Sequence, residues 1–250
     1  MAVAIEIIEP KSFASAVADE IVASIDEILE EKERCSLVLA GGRTPSSIYR
    51  LLSRPPLVRE IHWSRIDLFW GDERWVPHDH HHSNYHMVFE TLLSQLSTDK
   101  PTVFPVDTSL ASPEAGAQAY EALVKRVVPS ESGVPRFDLS VLGIGEDGHT
   151  ASLFPRDPVL EARGTVCHAI SCPQDDGIRI TLSPDALFSS KRMIFIVKGE
   201  NKAEVMRRIL QSNESASELP GKLYERATGS VTWFLDSAAA KKLDSNKQHA

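Results

Sequence analysis

Short apolar runs alternate with longer amphipathic stretches along this chain. SLVLA (36–40), IDLFW (66–70), FDLSVLG (137–143), MIFIV (193–197) and VTWFL (231–235) have the length and near-continuous apolarity of strands buried on both faces. AVAIEII near the start and RITLS (179–183) are weaker strand candidates. Phe13, Val17, Ile21, Ile25, Ile28 and Leu29 recur at helical spacing through 11–31, and 83–96, 111–128 and 200–211 are also helical in pattern. Ser83, Ser112-Pro113 and Asn201 stand where helix starts belong. Strand-then-helix alternation over most of the chain predicts a three-layer α/β fold, a mostly parallel sheet with helices on both faces. No internal repeat or low-complexity linker divides the chain. SESGVPR (130–136) reads as a loop, so one domain over 1–250 is expected, with 244–250 as a flexible tail.

Composition narrows the setting. Of 250 residues, 42% are apolar and 25% charged, ordinary values for a globular domain. No run approaches the roughly 20 apolar residues of a membrane span. MAVAIEIIEPK lacks the basic start and long apolar core of a signal peptide. Cys35, Cys167 and Cys172 have no metal-type spacing and suit buried thiols in a reducing cytosol, so a cytoplasmic protein is expected. A net charge of −8 argues against broad nucleic-acid binding. An anionic ligand would then need a local cluster of Lys and Arg working against the global field.

In open parallel sheets, ligands bind beyond the carboxyl ends of the strands. The loops after SLVLA, IDLFW and FDLSVLG carry GGRTP, GDERWVPHDHHHSN and GEDGHTASLFP, where the unusual residues concentrate. Gly143, Gly145 and Gly148 spell the dinucleotide pattern G-x-G-x-x-G, but Pro155 arrives seven residues after Gly148 and leaves room for only about two helical turns. An acid–base reading suits the stretch better. His149 is the side chain best poised to exchange protons near neutral pH, and Asp147 is placed to orient the imidazole or bond the ligand. The plainer alternative is a histidine that caps a short helix.

In GGRTP, Gly41 and Gly42 leave main-chain N–H groups unshielded, with Thr44 as a natural N-cap and Pro45 at the first helical position. Exposed amides at a helix start make a phosphate or carboxylate site, and Arg43 would add a planar donor fork. An ordinary tight turn is the alternative. Asp72, Glu73 and Arg74 sit just past IDLFW between Trp70 and Trp75, which implies partial enclosure. The histidines 78, 80, 81, 82 and 86 invite a metal reading, but HDHHHS lacks a carboxylate or Cys partner at regular ligand spacing, and no metal is expected. Arg179 opens RITLS and Lys202 sits in VKGENKAEVM; with Arg43 and Arg74 they would supply the local cationic cluster.

AGGRTP, GDERWVP…SN, DLSVLGIGEDGHTASLFP, RITLS, KGENKAEV and LPGKL…VTWFLD together closely resemble the 6-phosphogluconolactonases of the glucosamine-6-phosphate isomerase/6-phosphogluconolactonase family, from about residue 36 to 240. The resemblance implies a fold shared with glucosamine-6-phosphate deaminase and ribose-5-phosphate isomerase. It also implies cofactor-free hydrolysis of 6-phospho-D-glucono-1,5-lactone in the oxidative pentose phosphate pathway. The related deaminases continue their Asp-Gly-His turn with Asn-Glu-Pro; the position of that glutamate is Phe154 here, and their usual Tyr is Arg74 here. The family's glycine turn often reads S-G-G-S-T-P, whereas Ala40 and Arg43 fill the two serine positions. That departure leaves Arg43 either as an added phosphate ligand or as a solvent-facing side chain.

On this reading His149 is catalytic, and Gly41, Gly42, Arg43, Thr44, Asp72, Arg74, Asp147, Arg179 and Lys202 bind substrate. The expected partner is a small sugar-phosphate lactone, with no nucleic acid, no membrane and no cofactor, and the protein is expected to be a monomer. A catalytically silent sugar-phosphate sensor on the same fold remains the rival.

Overall fold

A computed structural model describes residues 2–131, 133–175 and 177–244. The first half runs β1 (Val3–Ile8), α1 (Phe13–Glu31), β2 (Cys35–Leu39), α2 (Arg43–Leu52), α3 (Leu57–Glu60), β3 (Ile66–Trp70), β4 (Asp72–Arg74), α4 (Asn84–Thr91), β5 (Thr102–Val103) and α5 (Pro113–Val127). The second runs β6 (Ser130–Glu131), β7 (Val134–Pro135), β8 (Leu139–Leu142), β9 (Cys167–Ser171), β10 (Ile178–Leu182), α6 (Pro184–Phe188), β11 (Arg192–Val197), α7 (Ala203–Gln211) and β12 (Ser230–Asp236). Of the expected tail 244–250, only Asp244 lies within the described residues, tied to α7 by two hydrogen bonds with the Gln211 amide, each 2.9 Å.

Seven strands form the central sheet in the order β1-β12-β11-β8-β2-β3-β5, and every pairing is parallel. Successive strand residues face opposite sides, so the continuous apolar runs fill two cores at once. Leu37, Leu39, Leu68, Trp70, Leu139, Val141, Ile194 and Ile196 face one core, which α1 closes with Phe13, Val17, Ile21, Ile25, Ile28 and Leu29. Val38, Phe69, Leu142, Phe195, Val197 and Trp233 face the other, covered by Tyr120 and Val124 of α5 and Val205, Met206 and Ile209 of α7. This is the expected three-layer arrangement. A separate antiparallel sheet, β4-β10-β9, packs into the second core through Cys167, Ile180 and Leu182. RITLS is therefore a strand, though outside the parallel sheet, and Asp72–Arg74 is a strand rather than a loop.

Ser83 and Ser112 cap α4 and α5, accepting from the amides of His86 and Ala115. The start of α2 differs from expectation. Gly42 occupies the N-cap, so Thr44 and Pro45 lie inside the first turn. Proline is tolerated there because the first-turn N–H groups have no intrahelical acceptor. The segment 200–211 begins as a 3-10 turn, Glu200–Lys202, before α7.

Chain order sets the location of the cleft. From β2 the chain winds through β3 to β5 on one side; from β8 it winds through β11 to β12 on the other. The reversal falls between the neighbours β8 and β2, where an open α/β sheet leaves a crevice at its carboxyl end. Two buried tyrosines finish the strands there. Tyr49 Oη bonds both backbone groups of Ala40, each at 3.1 Å, and Tyr120 Oη bonds those of Trp70 at 2.8 and 3.0 Å. Backbone groups beyond the ladder are thus satisfied without closing the crevice.

At the opposite end of the sheet, buried Asp138 accepts from Lys32 Nζ at 2.7 Å and from the Ser36 amide and hydroxyl at 3.0 and 2.8 Å. Lys191 Nζ lies 3.2 Å away. Burial pushes the Asp138 carboxyl up, but the Lys32 and Ser36 hydrogen bonds outweigh it and hold the group below the usual carboxylate range. Its contribution to stability is therefore present above the unfolded carboxylate range and lost as pH falls through the folded value. Asp138→Asn should lower unfolding free energy by about 2–4 kcal/mol at neutral pH. The gap from the parent should begin to shrink below about pH 4, where the unfolded carboxyl protonates, and close only as pH falls through the lower folded value, where Asp138 too is neutral. Urea denaturation at neutral and acid pH checks this; a gap independent of pH contradicts it.

Candidate active site

The loops after β2, β3, β8 and β11 enclose a cleft of about 590 Å³ at the crevice. All ten residues expected from the sequence line it: Gly41, Gly42, Arg43, Thr44, Asp72, Arg74, Asp147, His149, Arg179 and Lys202.

His149 stands on the turn after β8. The Gly145 amide donates to the His149 carbonyl at 2.8 Å, closing the turn, and the Thr150↔Leu153 bridge follows. No helix starts there; the next helical element is the 3-10 turn Pro158–Glu161. Both the dinucleotide reading and the helix-capping reading of this loop are thereby overturned. Gly145 is required by close approach: a Cβ there would sit 2.2 Å from the imidazole.

Asp147 holds the ring. Its Oδ1 lies 2.5 Å from His149 Nδ1 and accepts from the His149 amide at 3.1 Å. Burial pushes the Asp147 carboxyl up, but the hydrogen bond and charge of His149 prevail and hold it below the usual carboxylate range. An ionised carboxylate only accepts, so Nδ1 carries the proton and donates. Phe154 packs beside the ring, with centroids 5.0 Å apart.

The α2 terminus forms another wall. Gly42 takes φ +104°, a left-handed conformation that disfavours any side chain, and the helix start has no side-chain cap. The Arg43 and Thr44 amides therefore head the helix uncapped, the arrangement that binds anions. Arg43 is exposed at the cleft edge. Lys202 is half-buried; burial pushes its pKa down and Arg43 adds to that, against the opposing charges of Glu146 and Asp147.

Arg74 and Arg179 are directly paired across the antiparallel strands β4 and β10. Two like charges so placed repel, and each finds an acceptor. Arg74 Nη1 donates to the His82 carbonyl at 2.6 Å, and Arg179 pairs with Asp175. Arg74 Nε is buried with no partner among the described residues. The local cationic cluster thus has two parts, Arg43 with Lys202 and Arg74 with Arg179.

Asp72 is buried and internally engaged. Ser152 Oγ donates to its Oδ2 at 2.6 Å, and Asn84 Nδ2 donates to its main-chain carbonyl at 2.8 Å. It braces β4 against the His149 turn and α4. Glu73, expected to be partly enclosed, is fully buried as well; it accepts from the backbone amides of Arg74, Asn84 and Tyr85, each at 2.7 Å, and from Ser83 Oγ at 3.1 Å. The histidine loop stacks on itself through His80, His81 and His82. Among the described residues no group of three or more His, Cys, Asp or Glu is arranged to hold a metal. Asn84, Ser152 and Gln174 also line the cleft and went unread in the sequence. The SN of the resemblance motif was the one signal for Asn84.

Residues 8–233 match the family described as glucosamine-6-phosphate isomerases/6-phosphogluconolactonase. The chain belongs to that family. It is 35% identical over 237 residues to a rat 6-phosphogluconolactonase, covering 94% of this chain and 91% of the relative. It matches the solved 6-phosphogluconolactonase of Trypanosoma brucei at TM-score 0.85 and 30% identity, over 96% of this chain and 98% of that one. A monomeric glucosamine-6-phosphate deaminase, 22% identical, superimposes at TM-score 0.81 over 97% of this chain and 100% of that one, and so shares the fold. No helix among the described residues is long and apolar enough to cross a membrane.

Proposed function

We propose that this protein is a cytoplasmic hydrolase that opens 6-phospho-D-glucono-1,5-lactone to 6-phospho-D-gluconate, serving the oxidative pentose phosphate pathway. The observation that carries the reading is the imidazole held by Asp147 at Nδ1, in the same cleft as the uncapped α2 terminus and Lys202. The names and coverage of the relatives support the lactonase branch.

The substrate phosphate binds the amides of Arg43 and Thr44 and is neutralised by Lys202, with Arg43 beside it. Water attacks the lactone carbonyl carbon while His149 Nε2 takes its proton. Arg74, paired with Arg179, stabilises the tetrahedral oxyanion. As the C–O bond to the ring oxygen breaks, the imidazolium returns the proton to that oxygen, giving a hydroxyl and a carboxylic acid that ionises. One residue suffices as base and then acid, because both transfers occur at one small centre. A lactone is an activated ester, so the scheme requires neither metal nor covalent nucleophile.

Phe154 supports this branch over amino-sugar chemistry. It sets an apolar ring against His149, at the position of the glutamate that the sequence resemblance assigns to the deaminases. Purified protein should release acid from the phosphorylated lactone faster than the spontaneous rate and release no ammonia from glucosamine 6-phosphate. Ammonia from the amino sugar without acid from the lactone would reverse the assignment.

A further inference from the structure

Gln174 lies on the turn joining β9 to β10 and lines the cleft. Its side-chain nitrogen donates to Asp147 Oδ2 at 2.7 Å. Its side-chain oxygen accepts from the buried thiol of Cys172 at 3.0 Å, which fixes which way the amide points. The same sulfur lies 3.5 Å from Arg179 Nη2.

We propose that Gln174 is a positioning residue for the His149 base, an inference that rests on the lactonase reading. A carboxylate held at one oxygen swings about its own bond. Asp147 Oδ1 is taken by His149, and Gln174 takes Oδ2, so the carboxylate plane is fixed and the imidazole plane with it. Asp147 and Gln174 are 27 residues apart on different loops. Their bond joins the turn after β8 to the antiparallel sheet that carries Arg179 and, across the pair, Arg74. The base is thereby held in register with the cations that meet the developing oxyanion. The donor also tempers Asp147: a hydrogen bond to a carboxylate stabilises its charge and weakens its pull on the imidazole proton. The other charges around the pair are Glu146 on the same turn, Lys202 from the loop after β11, and the Arg179–Asp175 pair at the base of the turn.

Gln174→Ala removes only an exposed side chain from a turn, and unchanged thermal unfolding confirms the fold. With the phosphorylated lactone, kcat should fall about tenfold while KM stays within about twofold, since a mispositioned base costs rate rather than binding. The acidic limb of the kcat/KM profile should move to higher pH, because an untempered Asp147 favours the imidazolium. Unchanged kcat and acidic limb overturn the proposal, as does a raised KM at constant kcat. A second readout needs no turnover. The His149 Nδ1 proton resonance, identified by its loss in His149→Asn, should shift or broaden in Gln174→Ala, and an unchanged resonance overturns the proposal. If the parent protein lacks lactonase activity, the lactonase reading fails and this resonance alone decides the positioning claim.

Discussion

His149→Asn should lower kcat on 6-phospho-D-glucono-1,5-lactone by about 10²–10⁴, the usual contribution of a general acid–base group. Asparagine keeps a donor near Asp147, so the turn held by Gly145 and Gly221 should persist; both glycine amides bond carbonyls of the turn at 2.8 Å. Binding of 6-phosphogluconate should change little, because the proposed phosphate contacts lie on α2 and Lys202. Calorimetry of product binding beside steady-state rates separates the two. Near-parental turnover in a folded variant would remove His149 from the mechanism.

The second large effect concerns the phosphate. The Arg43 and Thr44 amides and Lys202 lie on different loops from His149, so a phosphate held there as proposed would be remote from the carbon that His149 serves. Remote binding energy of this kind holds the lactone against the base, and losing it harms kcat/KM beyond affinity alone. Gluconolactone without phosphate should be a poor substrate. Lys202→Ala should impair the phosphorylated lactone far more than the plain one. Comparing two enzymes on two substrates isolates the coupling. A partly desolvated charge-assisted contact should give about 2 kcal/mol, a factor of about 30. Lys202 is suited to it because burial already disfavours its charge and an anion relieves that. Equal slowing of both lactones would mean that Lys202 does not bind phosphate.

The parallel sheet was legible because its strands are buried on both faces. IDLFW has the predicted limits, Ile66–Trp70, and the FDLSVLG run narrows only to Leu139–Leu142. Burial on both faces writes such strands as near-continuous apolar runs. β4 was not legible: Asp72–Arg74 is three charged residues, and its pairing with β10 joins segments far apart in sequence. No local pattern encodes that register, so the Arg74–Arg179 juxtaposition had to come from the structure. The α2 cap was misread because Thr44 and Pro45 are strong local signals, while Gly42 leaves the strand early in a conformation that only its lack of a side chain makes easy. The site's outer supports hid for a related reason. Ser152, Asn84 and Gln174 are ordinary polar residues until folding brings Asp72 or Asp147 within reach. The chemistry-bearing loops were legible because charged and glycine-rich residues cluster at the ends of apolar runs.

The central claim is that this cleft hydrolyses a phosphorylated lactone with His149 as the base. Freshly generated 6-phospho-D-glucono-1,5-lactone, followed by NMR near neutral pH with parent protein, His149→Asn and no protein, tests it most directly. The lactone should disappear in proportion to parent enzyme, with 6-phosphogluconate as sole product, while the variant runs at least about a hundredfold slower after the spontaneous rate is subtracted. Decay at the spontaneous rate in all three samples would contradict it.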